Sequence, residues 1–261
     1  MIWGQHSFPD DTLFRLAFGN LRVYLGRRRR EWRWSLEYSD LTEAASFEAV
    51  GAAEAMTLSN LSWQRMITKE LSEVVVLAPR LPDRPLSIFP QEQVQIAQNA
   101  QVQLWISIPL WVHVGCAKGE TVFEAGSERL SGSWLGDSVG GRMAYTLKSE
   151  PRYHGESDLI PDHRARCVLS ILNQADAPFV VSKLAVPSEL LHLYQTTGGY
   201  GGGVYTSEVK LLQTRDHEIS VNPLHHRESS RQPPFVAARV RGVDNFWKRS
   251  VGLLKRIGNY S

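Results

Sequence analysis

Glu31-Trp32-Arg33-Trp34-Ser35-Leu36-Glu37-Tyr38 has the residue pattern that indicates the fold of this chain most clearly. Its large apolar side chains occupy every second position, and the residues between them are charged or polar. Successive side chains of a β-strand point to opposite faces, so this alternation predicts a strand with one buried face. The stretch therefore indicates a β-sheet that packs against another layer on one side.

Comparable segments recur through most of the chain and are separated by turn-forming residues. Residues 94–116 carry the densest pattern. Residues 12–18 and 21–25 predict two strands joined by a tight hairpin turn at Gly19-Asn20. Many short strands at turn-marked intervals are typical of a sandwich or barrel. We therefore predict an all-β fold, mainly an antiparallel β-sandwich, with two packed sandwiches as the alternative and a C-terminal amphipathic helix.

Changes in composition along the chain predict four segments. Prolines recur between residues 79 and 90, where a missing ladder donor marks strand edges and turns. The alanine- and glutamate-rich residues 41–58 predict a short helix or a loop. The predicted segments are an N-terminal β region over residues 1–90, a β-sandwich domain over 91–222, a linker over 223–236 and a basic amphipathic helix over 237–261.

Four consecutive arginines occupy residues 27–30, between predicted strands. A charged turn of this kind is solvated and keeps a sheet edge from pairing with other chains. Contact with phosphate groups of nucleic acid or lipid is the alternative. We expect a solvated hairpin turn, and no nucleic-acid binding, because exposed basic and aromatic side chains are not interleaved in the pattern of a single-strand binder.

The charge of the chain is unevenly distributed. The net charge is +2, but residues 237–261 contain six cationic side chains and one carboxylate, a formal charge of +5, which leaves −3 for the remainder. Such asymmetry indicates an interaction tail. The two cysteines, Cys116 and Cys167, are too few for a disulfide framework. With no signal-peptide pattern and no apolar stretch of membrane-spanning length, we expect a cytoplasmic protein, at most peripheral to the inner membrane.

The tail has the spacing of an amphipathic helix. Its apolar side chains fall on one side of a helical projection, and its lysines and arginines fall on the other. We predict that the tail docks onto a membrane protein or an anionic membrane surface. Packing of the same face on the protein's own β domain is the alternative. The predicted partner-binding residues are Phe246, Trp247, Lys248, Arg249, Val251, Leu254, Lys255, Arg256 and Ile257.

Histidine and cysteine do not have the spacing of a metal site. His113 and Cys116 would face opposite sides of an uninterrupted strand. His163 and Cys167 would share a face but lie roughly 13 Å apart along it, whereas zinc ligands lie about 2 Å from one ion. We therefore expect no metal and no cofactor.

The loop around residues 150–162 is the best sequence candidate for catalysis. Two acids on a β scaffold can hydrolyse a glycosidic bond, but the chain lacks a nucleophile-elbow motif. We therefore expect that the protein is not an enzyme. The alternative is a small-ligand or carbohydrate-binding sandwich, or a hydrolase built on one. The acids of the loop are Glu150, Glu156, Asp158 and Asp162.

Three strings in the chain carry a resemblance to a known family. They are Ser107-Ile108-Pro109-Leu110-Trp111-Val112, then Trp134-Leu135-Gly136-Asp137 with Gly140-Gly141-Arg142-Met143-Ala144-Tyr145, and Val181-Ser182-Lys183-Leu184-Ala185-Val186-Pro187. They resemble an uncharacterised prokaryotic family, domain of unknown function 432, over roughly half of the chain. The family has no established activity, so the resemblance carries over no catalytic residue. Because some bacterial members accompany small-conductance mechanosensitive channels in their genomes, the resemblance implies such a channel as the partner of the tail.

Overall fold

The structure is a computed structural model that describes residues 2–69, 72–117, 119–136, 139–153, 160–195, 203–215, 219–224 and 233–241. Strands dominate it, so a predominantly β fold with several antiparallel sheets is confirmed. In chain order the strands are β1 (Gly4–Ser7), β2 (Thr12–Arg28), β3 (Glu31–Ala49), β4 (Gln64–Ile67), β5 (Val74–Arg80), β6 (Leu86–Phe89), β7 (Val94–Ile96), β8 (Gln101–Pro109), β9 (Trp111–Cys116), β10 (Thr121–Gly126), β11 (Ser131–Leu135), β12 (Arg142–Lys148), β13 (Arg152–Tyr153), β14 (Arg164–Asn173), β15 (Phe179–Val181), β16 (Leu184–Val186), β17 (Leu193–Gln195), β18 (Val204–Thr206), β19 (Val209–Gln213) and β20 (Ile219–Pro223). The helix α1 (Ala52–Thr57) and the 3-10 turn Leu58–Asn60 follow β3, and a second 3-10 turn, Ser188–Leu190, follows β16.

The strands form two compact units that interleave along the chain. The first unit consists of Met1–Arg80, Pro109–Arg129 and Pro161–His163, and the second of Leu81–Ile108, Leu130–Ile160 and Arg164–Ser261. The predicted segments 1–90 and 91–222 are contiguous, whereas each unit is assembled from three separate stretches. A composition pattern read along the chain does not reveal such crossings between units.

Two antiparallel sheets make up the first unit, with the strand orders β1-β5-β9-β10 and β2-β3-β4. Aromatic side chains fill the space between them. The ring of Trp34 on β3 stacks on that of Phe123 on β10 with centroids 5.7 Å apart, and Phe8 lies 5.1 Å from Trp32. Both Phe8 and Trp32 are fully buried while Arg33 is exposed, so the buried face predicted for this strand is confirmed.

Strand β2 contains a bend at the position where the sequence predicts a turn. The predicted hairpin at Gly19-Asn20 is wrong, because β2 continues through both residues and pairs with β3 on either side of them. Gly19 forms a bulge with a φ of 68°. Asn20 fixes the bend, since its N–H donates to the carbonyl of Ser127 and its side-chain amide to that of Ser39, both at 2.9 Å.

The long hairpin of β2 and β3 therefore turns elsewhere, at Arg29 and Arg30. Arg29 has a φ of 56°, as tight two-residue turns require. The N–H of Asp11, just before β2, donates to the carbonyl of Arg27 near its end at 3.0 Å. The two ends of the strand thus meet, and the hairpin curls back on itself.

The second unit contains a four-stranded sheet, a seven-stranded sheet and a two-stranded pair. Their orders are β11-β12-β6-β16, then β13-β8-β14-β18-β17 with β19 beside β14 and β20 beside β19, and β15-β7. Most pairs are antiparallel, but β12 runs parallel to β6, and β14 runs parallel to β18 and β19. Ala165, Cys167, Leu169 and Ile171 alternate along β14 and are fully buried, which places a core on that face of the sheet.

The described part of the C-terminal region is extended. Pro223, where the predicted linker begins, is the last residue of β20, and Val236 forms an antiparallel bridge with Leu193. Residues 237–241 are not helical. The rest of the predicted helix, residues 242–261, lies outside the described residues, so the helix is not confirmed. Within the described ranges, no helix has the length and apolarity needed to cross a membrane.

Candidate functional site

A cavity of about 730 Å³ lies within the first unit. Its charged lining comes from the turn end of the β2–β3 hairpin, from β4 and from the loop before β2, and its apolar lining from the opposite end of the hairpin and the segment that follows. The charged residues are Asp11, Arg27, Arg28, Glu31, Arg33 and Arg65, and the apolar ones are Leu13, Ala49, Val50, Ala55, Leu58 and Trp63. Four arginines against two carboxylates give the lining a formal charge of +2.

Strand register brings the charged side chains together. Arg28 lies opposite Glu31 in the β2–β3 pair, and Arg33 lies opposite Arg65 in the β3–β4 pair. Residues that face each other across an antiparallel pair project to the same side of the sheet. The three guanidinium groups and the Glu31 carboxylate therefore share one face, opposite the face that buries Trp32.

Gly26 makes room for one of these guanidinium groups. It lies opposite Arg33 in the register of β2 and β3. A methyl group at position 26 would lie 3.0 Å from Nε of Arg33 and 3.2 Å from its Cγ. The Arg33 side chain therefore crosses directly over the bare backbone of Gly26, and its guanidinium lies 5.1 Å from the centre of the Trp63 ring. This cation–π contact orients the guanidinium.

Among the described residues, Arg65 is the arginine of this face that forms an ion pair. Arg65 donates from Nε to one oxygen of Glu31 at 2.6 Å and from Nη2 to the other at 2.8 Å. This two-pronged contact holds the pKa of Glu31 below its usual value and raises that of Arg65. No carboxylate among the described residues lies within ion-pair distance of Arg28 or Arg33. Within the described part of the chain, Arg28 and Arg33 thus form no direct ion pair with a carboxylate.

Arg27 differs from its neighbour Arg28 because it points to the buried side of the sheet. Only 3% of its surface is exposed. Its guanidinium donates to the carbonyls of Phe8 at 3.2 Å and Arg29 at 3.1 Å, and lies 3.8 Å from the carboxylate of Asp10. The expectation that the whole arginine run is solvated is therefore wrong for Arg27, whose role is to tie the loop before β2 to the turn.

The segment that contributes Ala55 and Leu58 to the apolar lining is only loosely attached to the rest of the unit. No residue of α1 is buried, and Leu58 is the buried residue of the following 3-10 turn. A hydrogen bond of 3.5 Å joins Tyr24 Oη to Glu54. A segment with so few buried contacts has low local stability, so this side of the cavity adapts more readily than the strands opposite.

The chemistry of the lining favours binding. Its ionisable groups are guanidinium and carboxylate, without the histidine, cysteine or lysine that serves most often as a base or nucleophile. Guanidinium groups match the geometry of phosphate, sulfate and carboxylate oxygens. The arrangement is therefore suited to hold an anion.

The other residues singled out in the sequence occupy structural positions. His113 contacts the carboxylate of Glu124 at 3.4 Å and His163 that of Glu128 at 3.8 Å. Both cysteines are buried, and burial raises the pKa of the Cys167 thiol to about 12, which keeps it protonated and unreactive. Among the described residues, no three histidine, cysteine or acidic side chains gather as metal ligands would.

The acidic loop and the tail are described only in part. Glu150 accepts a hydrogen bond from the N–H of Gln91 at 3.0 Å, and Asp162 is exposed, whereas Glu156 and Asp158 lie outside the described residues. All nine predicted partner-binding residues, from Phe246 to Ile257, also lie outside them. Of these two sets of residues, the described part of the chain therefore contains Glu150 and Asp162 alone.

The start of the tail and the residue just before it are bound to the second unit. Val236 and Leu193 exchange two backbone hydrogen bonds of 2.9 and 3.1 Å, and the N–H of Val240 donates to the carbonyl of Glu189 at 3.0 Å. Arg239 donates from Nε to the carbonyl of Leu81 at 2.7 Å. The described residues of the tail, 237–241, are therefore bound to the second unit.

Comparison with known proteins gives one match. A sequence model of the family described as "Protein of unknown function (DUF432)" matches residues 2–251, nearly the whole chain, which confirms the resemblance seen in its motifs. Neither the curated proteins nor the solved structures contain a significant match.

Proposed function

This chain belongs to the DUF432 family of proteins of unknown function, and we propose that it is a non-enzymatic binding protein whose first unit holds a small anion in the arginine-lined cavity. The observation that carries the proposal is the pair Arg28 and Arg33, two guanidinium groups on one sheet face that form no ion pair with a carboxylate among the residues that the structure describes. Charge-assisted hydrogen bonds from such groups are stronger than neutral ones. The positive lining also favours an anion over a neutral carbohydrate.

Titration calorimetry with inorganic phosphate at low ionic strength tests the proposal. We expect the full-length protein to bind phosphate, and each of the substitutions Arg28→Gln and Arg33→Gln to weaken binding about tenfold or more, because each removes charge-assisted hydrogen bonds. Binding should also weaken as salt is added.

Arg15→Gln is the matched control. Arg15 lies on β2 in the same hairpin but is not part of the cavity lining, so its substitution removes one positive charge without touching the site. Phosphate affinity should stay within about twofold of the original, as expected for a screened surface charge. A full-length protein that binds no phosphate, or an equal loss in all three variants, would refute the proposal.

A second proposal concerns the tail, which we infer docks onto a membrane protein, such as a small-conductance mechanosensitive channel, or onto an anionic bilayer. This places the protein in the cytoplasm, peripheral to the inner membrane. The +5 charge of residues 237–261 and their amphipathic spacing support it.

Deletion of residues 242–261 tests the tail while leaving the anchored segment in place. Full-length protein should co-sediment with vesicles containing anionic lipid, or capture a membrane protein from detergent-solubilised membranes, and the deleted form should do neither. The double variant Trp247→Asp and Leu254→Asp should behave like the deletion. If both altered forms keep every association of the full-length protein, the tail does not dock.

A further inference from the structure

The size and two-part lining of the cavity say more about its ligand than that it is an anion. A cavity of about 730 Å³ falls in the range of about 300–1,000 Å³ that encloses small organic molecules. A bare inorganic anion bound by Arg28 and Arg33 would leave most of this volume to water. The ligand that fits the space has an organic part as well.

The residues that would meet the organic part are apolar. Leu58 lines the cavity and is 8% exposed, and Ala55 and Val50 line it as well. They come from the end of β3 and the segment after it, whereas Arg28 and Arg33 come from the turn end of the hairpin. The lining therefore combines charged groups from the turn end of the hairpin with apolar groups from the segment after β3.

Trp63 lies at the junction of the two parts. It belongs to the apolar lining, yet its ring carries the Arg33 guanidinium at 5.1 Å. An anionic group bound by Arg33 would therefore place its organic substituent next to the indole and the aliphatic side chains beyond it. We infer that the ligand is an amphiphilic organic phosphate or carboxylate: one anionic group joined to a compact apolar body. This inference rests on the proposed anion-binding function.

The segment that contributes the apolar lining should respond to such a ligand. None of the side chains of α1 is buried, and Leu58 anchors the turn after it. An apolar body bound against Ala55 and Leu58 adds buried contacts that this segment otherwise lacks. Its backbone hydrogen bonds should then open less often.

A graded series of phosphates separates the two parts of the site. We would titrate the full-length protein with inorganic phosphate, methyl phosphate, phenyl phosphate and hexyl phosphate. Hexyl phosphate should bind about tenfold or more tightly than methyl phosphate. Burial of only two of its additional methylene groups would increase affinity by about that factor. The phenyl and hexyl arms distinguish a planar body that stacks on Trp63 from an aliphatic one.

A variant and a second readout identify where the apolar body binds. Ala55→Gln places a polar side chain in the apolar lining and should remove most of the gain along the series while leaving inorganic phosphate affinity unchanged. Ala53→Gln is the control, because Ala53 lies on the same helix outside the lining. Hexyl phosphate, but not inorganic phosphate, should slow hydrogen exchange across residues 51–60.

The possible results separate this inference from the function on which it rests. Binding of inorganic phosphate with no gain along the series would overturn the amphiphilic ligand and leave anion binding intact. A gain that survives Ala55→Gln and leaves hydrogen exchange at residues 51–60 unchanged would also overturn it. Absence of binding by every phosphate would overturn both proposals.

Discussion

The bend and the turn end of the β2–β3 hairpin differ in whether their polar groups are paired within the protein. At the bend, the backbone and side-chain amides of Asn20 both have carbonyl partners, and Gly19 is so closely packed that a methyl group there would lie 2.8 Å from the ring of His163. At the turn end, Arg28 and Arg33 share a face with no matching carboxylate among the described residues. The polar groups at the bend are therefore hydrogen-bonded within the protein, whereas Arg28 and Arg33 at the turn end form no ion pair with a described carboxylate.

This difference separates stability from binding within one element. Arg27 has a structural role although it lies beside Arg28. Its guanidinium is buried and donates hydrogen bonds to the carbonyls of Phe8 and Arg29. Proteins depart from full local satisfaction mainly at functional sites. Substitutions at the bend should therefore cost stability, whereas substitutions at the turn end should change affinity.

The largest effect should come from Gly19→Ala. Alanine is strained at a φ of 68°, and its methyl group would also overlap His163 and the carbonyl of Ser127. Backbone strain and overpacking each cost about 1–3 kcal/mol, so we expect the free energy of unfolding to fall by about 3 kcal/mol. Urea denaturation followed by tryptophan fluorescence measures the change.

Gly119→Ala separates the two causes. Gly119 also has a positive φ, of 91°, but a methyl group there would meet nothing within 4 Å. Its substitution should therefore lower the free energy of unfolding through backbone strain alone, by about 1 kcal/mol. Equal losses for the two substitutions would show that the close packing of Gly19 against His163 contributes nothing to the bend.

The bend also marks the point where the sequence stops being informative. Alternation over residues 31–38 predicted a strand with one buried face, and the structure confirms it because that pattern depends only on the geometry of a single strand. Gly19-Asn20 has the composition of a hairpin turn, but a bulge uses the same residues for the same positive φ. Which of the two forms depends on what β2 pairs with, and pairing is not visible in one sequence.

The cavity was missed for a related reason. Alternation alone places Glu31 and Arg33 on one face, and it would place Arg27 and Arg28 on opposite faces if the strand were known to continue into the arginine run. Whether Arg28 and Arg65 lie on that same face depends on how β2, β3 and β4 pair. A shift of one residue in the pairing would move these side chains to the other face. The tail, in contrast, was predicted from its own periodicity, and that prediction stays untested.

Gly26→Ala should have a smaller effect on stability and a visible one on binding. A methyl group at position 26 would press on Nε and Cγ of Arg33 at 3.0 and 3.2 Å, and an arginine side chain can shift by a few tenths of an ångström. Replacing glycine within a strand also recovers about 0.5–1 kcal/mol. We expect unfolding free energy to change by less than about 1 kcal/mol and phosphate affinity, measured by calorimetry, to fall several-fold.

That result would sharpen the contrast between the bend and the turn end. Gly19→Ala, at the bend, should instead lower stability and leave phosphate affinity nearly unchanged. Gly51→Ala serves as the control: Gly51 has an ordinary φ of −70° and open space around its Cα. It should leave both stability and affinity nearly unchanged. A large loss of stability from Gly26→Ala, with phosphate affinity unaltered, would instead assign Gly26 to the structural part of the hairpin.

The smallest effect should follow from the charge of Glu31. Arg65 lowers the pKa of this carboxyl below its usual value of 4.5, helped by Arg33 and Arg28, so the pair is intact at neutral pH and its stabilisation is lost as the pH falls through the lowered pKa. Protonation then releases Arg65, the third guanidinium of the face, for an anion. The sulfate affinity of the original protein should therefore be constant around neutral pH and rise only in acid. The Glu31→Gln variant should bind sulfate about threefold more tightly than the original protein at neutral pH. The factor is small because an exposed ion pair contributes little energy. Calorimetry at a series of pH values decides it: sulfate affinity that falls in acid, or is unchanged by Glu31→Gln, would mean that Arg65 takes no part in anion binding and that Arg28 and Arg33 form the whole charged site.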